Sequence, residues 1–152
     1  MRVTIAAIGK AKPGILRDLY RQYVERSRWP VVLKEMEVKA KLPAPEMMTR
    51  EAALLLEAVP AGARLVALDE RGRDLASADF AALLGGWRDA GTSDIGFVIG
   101  GADGLDESVR RRADLLLAFG RATWPHMMVR GMLAEQLYRA QQILAGHPYH
   151  RE

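Results

Sequence analysis

Apolar and polar residues along this chain follow two periods, one typical of strands and one typical of helices. Short apolar runs predict five strands, over residues 3–8, 31–38, 64–69, 94–99 and 115–119. Between the first two runs, apolar residues three and four positions apart predict an amphipathic helix over 15–24. Strands that alternate with helices pair in parallel, so the pattern predicts a layered α/β domain with its ligand at the carboxyl ends of the strands.

The remaining helices are predicted from apolar spacing and end signals. A basic, mobile loop over 39–45 should precede a helix that follows Thr49 and ends before Pro60. Ser77 is the expected N-cap of the next helix. A short helix is expected over 106–113, and a long final helix should be stopped by Gly146 and Pro148.

Length and composition are those of one domain. The 152 residues predict a single domain over 1–152, and no apolar run approaches the roughly eighteen residues that a membrane span needs. The absence of cysteine excludes disulfides and thiolate metal sites, and it favours the reducing cytoplasm. Neither His-x-x-x-His nor a carboxylate cluster has metal-ligand spacing, so no metal is expected.

Charge is distributed unevenly along the chain. Residues 1–41 carry ten Lys or Arg against four Asp or Glu, residues 42–107 carry five against twelve, and residues 108–152 carry seven against three. Basic ends around an acidic middle favour one face that binds an anion, and nucleic acid is the commonest such partner. The alternative is ordinary solvated charge.

A glycine cluster follows the fourth predicted strand. Gly100, Gly101 and Gly104 do not have the spacing or the position of a dinucleotide-binding motif. Backbone without Cβ atoms can approach a flat ligand closely, and this is one interpretation of the cluster. The other is a tight turn that needs positive φ.

The loop after the fifth predicted strand, over 120–126, is a second candidate. Pro125 holds Trp124 extended, and the indole could form a wall for an adenine or a sulfonium cation. The alternative for Trp124 is a place in the core. His126 is either a helix-capping residue or a catalytic one.

The last helix and the chain end carry a third set of polar residues. Glu135 and Arg139 are four residues apart with the acid first, the favourable order for an ion pair within a helix. The terminus over 147–152 adds His150, Tyr149 and Arg151, which can exchange protons and bind phosphate. A chain end with incidental polar residues is the alternative.

These stretches together resemble one family. Residues 67–73, 97–104, 124–126, 135–140 and the terminal His-Pro-Tyr-His-Arg-Glu resemble, across the whole chain, the RlmH family of large-subunit rRNA methyltransferases, a minimal group of the SPOUT class. The resemblance implies a sheet whose C-terminal segment forms a trefoil knot, a homodimer, and S-adenosylmethionine as the cofactor. The implied substrate is N3 of a pseudouridine in 23S rRNA (helix 69), within the ribosome.

The resemblance also implies which residues bind and react. The cofactor contacts would be Leu68, Gly100, Phe119, Gly120, Arg121, Ala122, Thr123 and Trp124. For the chemistry of such a site, the candidates for the base that takes the N3 proton are Glu135, His150 and His126. Arg139, Tyr149 and Arg151 could hold a phosphate or the ring oxygens, and Glu135 and the pair His150/Arg151 rank first. Ala102 and Asp103 depart from the Pro-Glu that is usual in the glycine turn, and Trp124 stands where a smaller apolar residue is common.

Two other functions remain compatible with the residues. One is a catalytically silent RNA- or ribosome-binding protein on the same scaffold, which would need no cofactor pocket. The other is a nicotinamide or flavin enzyme, which the displaced glycine motif disfavours.

Overall fold

A computed structural model describes residues 1–150 as five strands and five helices in alternation. In chain order the elements are β1 (Arg2–Ile8), α1 (Ile15–Val24), β2 (Val31–Met36), α2 (Ala44–Ala58), β3 (Arg64–Asp74), α3 (Ser77–Asp89), β4 (Asp94–Ile99), α4 (Glu107–Arg112), β5 (Leu115–Ala118) and α5 (His126–Leu144). The predicted α/β class, the number of strands and their order along the chain are confirmed.

The strands form one parallel sheet in the order β2-β1-β4-β3-β5. Its central strand β4 is almost entirely buried, as expected for a strand covered on both faces. Helices α1, α3 and α5 pack on one face through a core that includes Phe97 and Leu133. Helices α2 and α4 pack on the other face around Leu55 and Val109. Because all the strands are parallel, their carboxyl ends lie at the same edge of the sheet.

Helix α5 lies between α1 and α3 and contacts both. It begins directly after the β5 loop, at the carboxyl edge of the sheet, and runs back toward the amino edge. Its first turn consequently stands among the loops that follow the strands. This position makes α5 the element that shapes the carboxyl edge.

Several predicted boundaries were wrong. The expected loop over 39–45 ends earlier, because α2 begins at Ala44 with Pro45 in its first turn, where a missing N–H costs nothing. Ser77 is not an N-cap; Ala76 holds that position, and the Ser77 hydroxyl donates to the Gln136 side chain (2.7 Å). Strand β2 ends at Met36, two residues before the predicted end.

Strand β3 is longer than predicted and shifts register against β5 between Leu68 and Arg73. Gly72 lies at this irregularity, and a Cβ there would be 2.6 Å from the Leu116 carbonyl carbon. Only glycine lets the two backbones come this close. The shift ends the regular pairing at Leu68 and places the residues that follow beside the carboxyl edge.

No helix within residues 1–150 is both long and apolar enough to cross a membrane.

Candidate active site

The glycine cluster after β4 forms a tight turn. The Gly104 N–H donates to the Gly101 carbonyl (3.1 Å), and Gly104 has a φ of +84°, which favours glycine. A Cβ on Gly100 would lie 2.9 Å from the Gly104 carbonyl oxygen and 3.0 Å from Leu105 Cδ2. A side chain on Gly100 would therefore collide with the turn itself. The backbone of this compact turn lies at the edge of a cavity.

The loop after β5 is closed by its own side chains. The Trp124 indole N–H donates to the Phe119 carbonyl (2.8 Å), and the Thr123 hydroxyl donates to the Glu70 carboxylate (2.7 Å). Trp124 keeps 42% of its surface exposed, so the interpretation as a core residue is wrong. The indole instead forms part of the wall of the same cavity.

This cavity, which we call the glycine-turn cavity, occupies about 830 Å³ at the carboxyl ends of β3, β4 and β5. Seven of the eight predicted cofactor contacts line it: Leu68, Gly100, Phe119, Gly120, Ala122, Thr123 and Trp124. Arg121 is exposed and is not part of the lining. The volume of the glycine-turn cavity is within the usual range for a small-molecule site, about 300–1,000 Å³.

Sequence reasoning missed lining residues that come from the far face of the sheet, among them Met48 and Arg110. Arg110 donates to the buried carboxylate of Asp69 (3.2 Å), which also accepts from the Arg71 backbone N–H (2.8 Å). These contacts hold the end of β3 against α4. No local pattern identifies Met48 or Arg110, because only the packing of α2 and α4 brings them to the cavity.

A buried carboxyl group lies directly behind the glycine turn. The Glu51 Oε2 atom is 2.9 Å from the position that a Cβ on Gly101 would take, and Oε1 has no hydrogen-bond partner among the described residues. Burial, and secondly the neighbouring Asp103, raise the pKa of Glu51. The charged form of Glu51 thus opposes folding, and its protonated form fits the site better.

Replacing Glu51 with Gln should therefore stabilise the protein at neutral pH, by on the order of 1 kcal/mol. A raised pKa means that wild-type stability is full at acidic pH and falls as pH rises through the pKa of the folded state. Urea unfolding of wild type and Glu51→Gln at acidic and neutral pH measures this. Equal stability changes with pH in the two proteins would contradict it, and Glu57→Gln on the same helix is the control.

The end of the described chain folds back on the middle of α5. Arg139 Nε donates to Glu135 (2.9 Å), and the Tyr149 hydroxyl donates to the same carboxylate oxygen (3.1 Å). Arg139 Nη1 lies 3.2 Å from His150 Nδ1, and its guanidinium lies 4.9 Å from the centre of the Tyr149 ring. We call Glu135, Arg139, Tyr149 and His150 the tail cluster; Arg151, the remaining predicted member, lies outside the described residues.

The contacts of the tail cluster set its protonation. The hydrogen bond to Glu135 raises the pKa of Arg139. Burial is the main cause that raises the pKa of Tyr149, with hydrogen bonding to Tyr23 and the Glu135 charge adding to it. The cluster at neutral pH therefore contains a cation and a neutral phenol that both donate to Glu135, and the same donors suit a phosphate or a ring carbonyl.

The structure does not bring all predicted catalytic residues to the glycine-turn cavity of one subunit. His126, the first residue of α5, lines that cavity, whereas none of the tail cluster does. Glu135 is nine residues further along the helix, so it lies about 13 Å away along the axis. In a single subunit the predicted site is thus divided into two parts.

Comparison with known proteins gives the same family over the whole chain. Residues 1–150 match the family described as "Predicted SPOUT methyltransferase". The chain is 66% identical over 151 residues to the ribosomal RNA large subunit methyltransferase H of Rhodospirillum centenum, and 61% identical to that of Paramagnetospirillum magneticum, covering 99% of each protein. The chain belongs to the ribosomal RNA large subunit methyltransferase H family of the SPOUT methyltransferases.

Solved structures support the fold of this SPOUT methyltransferase at much lower identity. A probable methylase family protein from Haemophilus influenzae superposes with a TM-score of 0.57 at 10% identity, over 99% of this chain and 70% of that one. The SpoU methyltransferase AviRb from Streptomyces viridochromogenes superposes with a TM-score of 0.50 at 13% identity. This chain spans 61% of AviRb, so it corresponds to part of that longer protein.

Within residues 1–150 no three His, Asp or Glu side chains are grouped as metal ligands.

Proposed function

We propose that this SPOUT methyltransferase transfers a methyl group from S-adenosylmethionine to N3 of a pseudouridine in helix 69 of 23S rRNA, within the ribosome. The observation that carries the proposal is the glycine-turn cavity, which joins the ends of three strands at the edge where α/β domains bind ligands. The whole-chain identity to ribosomal RNA large subunit methyltransferases supports the RNA substrate.

The residues of the cavity fit S-adenosylmethionine. Backbone at Gly100, Phe119, Gly120, Ala122 and Thr123 can bind the edge of an adenine. The exposed face of Trp124 suits either the flat base or the sulfonium cation. The carboxylate of Asp103 lies on the cavity wall without an ion-pair partner among the described residues, and it can attract the cationic end of the cofactor. When bound, the cofactor supplies an electrophilic methyl group.

The protein must then orient the uracil ring and accept its N3 proton. In one subunit His126 stands at the cavity and is a candidate for the base. Glu135 accepts hydrogen bonds from Arg139 and from the Tyr149 hydroxyl. It can accept the N3 proton only when the substrate displaces these donors. Arg139, Tyr149 and the chain end, including His150 and Arg151, can stabilise negative charge that develops on the ring carbonyls.

We further infer that the enzyme is a homodimer in which the tail cluster of one subunit completes the glycine-turn cavity of its partner. The separation of the two parts along α5 supports this arrangement, since neither part alone can both hold the cofactor and bind the acceptor. A trefoil knot at the C-terminal segment accords with the family and remains part of the proposal.

Two measurements test the proposed function. Calorimetry should detect binding of S-adenosylmethionine and not of NADH, and mass spectrometry of 23S rRNA should find one methyl group on a pseudouridine that is lost in a deletion strain. Large ribosomal subunits from that strain should be methylated by the purified protein, whereas a short naked stem-loop should be a poor substrate. Cofactor binding without any lost methyl group would favour the catalytically silent RNA-binding alternative, and NADH binding would overturn the proposal.

A further inference from the structure

A second cavity of about 480 Å³ lies at the same edge of the sheet, above β1 and β2. We call it the basic cavity, because its wall carries the cations Lys10, Lys12, Arg17, Arg21 and Arg130 and a single carboxylate, Glu35. Arg130 and the Ala11 backbone N–H both donate to that carboxylate (2.6 Å each). The carboxylate is therefore neutralised, and the other four cations form no ion pair within residues 1–150.

Hydrogen-bond donors in this wall lack acceptors. The Nε atoms of Arg17 and Arg130 are buried and have no partner among the described residues, and the Arg130 side chain is only 2% exposed. Buried donors without acceptors are rare in folded proteins and costly. Burial also raises the pKa of Tyr20, which lines the cavity, to about 12, so its phenol remains a neutral donor at neutral pH. The wall thus presents more hydrogen-bond donors than its one carboxylate, Glu35, can satisfy.

The basic cavity and the glycine-turn cavity are neighbours. A Cβ on Gly9 would lie 3.7 Å from His126 Nε2, which lines the glycine-turn cavity, and 4.0 Å from Arg130 Nη2, which lines the basic cavity. The first turn of α5 is therefore the partition between them, one layer of side chains thick. A strand that passes over the first turn of α5 can therefore contact both cavities at once.

We propose that the basic cavity binds a backbone phosphate of the RNA strand adjacent to the nucleotide that receives the methyl group. This inference rests on the proposed function and adds a second point of attachment to it. Guanidinium, ammonium and phenol donors match the oxygens of a phosphodiester. Ile15, 84% exposed at the mouth, offers apolar contact to a ribose or base that follows the phosphate. The partition keeps the phosphate site separate from the cofactor while holding the strand beside it.

The test compares two double variants with the same loss of charge. Lys12→Gln with Arg17→Gln removes cations from the basic cavity, whereas Arg88→Gln with Arg112→Gln removes exposed cations of α3 and α4 that line neither cavity. Fluorescence anisotropy measures binding to large ribosomal subunits from a deletion strain and to a labelled stem-loop RNA, as a function of salt. Calorimetry with S-adenosylmethionine serves as the control for folding and for the cofactor site.

The basic-cavity variant should weaken RNA binding roughly 10-fold or more and lower the slope of log K against log salt by about 1 for each lost cation. Its affinity for S-adenosylmethionine should equal that of wild type, and the matched variant should bind RNA nearly as wild type does. Equal losses in the two variants would overturn the site while leaving the proposed function intact. Competition by poly-glutamate, with no effect of the substitutions on RNA binding, would assign the cavity to an acidic protein segment instead.

Discussion

Deleting residues 147–152 should reduce methyl transfer about 100-fold or more while the affinity for S-adenosylmethionine stays close to that of wild type. The physical reason is the division of the site, since the glycine-turn cavity, where we propose that the cofactor binds, is built from strand ends, whereas Tyr149 and His150 lie against the middle of α5. The fold should survive, because His147 and Pro148 are exposed and the core does not depend on them. Single-turnover methylation of ribosomal subunits and calorimetry with the cofactor measure the two quantities.

Tyr149→Phe is the matched control for the truncation, because it keeps the ring against Tyr138 and Arg139 but removes the hydroxyl that donates to Glu135.

Mixing truncated subunits with Gly100→Val subunits then distinguishes a tail that serves the cavity of its own subunit from a tail that serves the partner's cavity. If the tail serves the partner's cavity, random dimers should recover about a quarter of wild-type turnover, since half are mixed and each has one complete site. No recovery would place the tail with its own subunit, and near-normal turnover of the truncated protein would make the tail incidental.

Replacing Arg130 with Met should destabilise the protein by about 3 kcal/mol and lower its Tm by roughly 6–12 °C. Arg130 is the largest fully buried side chain, and it donates to Glu35 (2.6 Å) and to the carbonyls of Ile8 (3.2 Å) and Gly9 (2.8 Å). The substitution leaves these acceptors without a donor and loosens the loop after β1. Urea and thermal unfolding measure the loss, with Arg112→Met as the exposed control, which should change stability by less than about 0.5 kcal/mol.

The pH dependence supplies an independent check on this ion pair. Burial acts to raise the pKa of Glu35, but hydrogen bonds from Ala11 and Arg130, together with the charges of Arg130 and Lys10, outweigh it and lower the pKa below its ordinary value of 4.5. The stability that Glu35 contributes is therefore present above that value and is lost as pH falls below it. In Arg130→Met the free energy of unfolding should fall less steeply at acidic pH than in wild type. Adding Glu35→Gln to this variant should recover part of the lost stability. If the acidic pH dependence of stability is the same in Arg130→Met as in wild type, the ion pair contributes nothing to stability.

Arg130 also illustrates what sequence periodicity cannot detect. It interrupts the apolar stripe that Val129, Met132 and Leu133 form on the last helix, and a charged residue in that place gives no indication of its partner. The partner is 95 residues away on β2. Only the packing of α5 over the first strands brings the pair together, so the basic cavity was absent from the sequence prediction.

Trp124 and Gly100 show where the residue type was informative but the reason was incomplete. The sequence singled out the loop that carries Trp124 but slightly favoured the core for its indole, whereas the indole is exposed at the cavity wall and donates to the Phe119 carbonyl. Gly100 was expected to be bare for a ligand, and the structure shows that a Cβ there would first meet Gly104 and Leu105. The positions of both residues depend on contacts within their own loops, with Phe119 for Trp124 and with Gly104 and Leu105 for Gly100. The spacing of residues along the sequence does not predict these contacts.

The sequence by itself determined the succession of strands and helices, the parallel sheet and the edge at which the glycine-turn cavity lies, because hydrophobic periodicity and strand–helix alternation are local properties that constrain topology. The residues of the terminus and the glycine turn also determined the family resemblance that the whole-chain matches confirm. Tertiary structure alone decided that the tail cluster stands apart from the glycine-turn cavity, that Arg130 neutralises Glu35, and that two cavities share one partition at the start of α5. These are distances between residues far apart in the chain, and they depend on how helices cross the sheet rather than on any pattern along it.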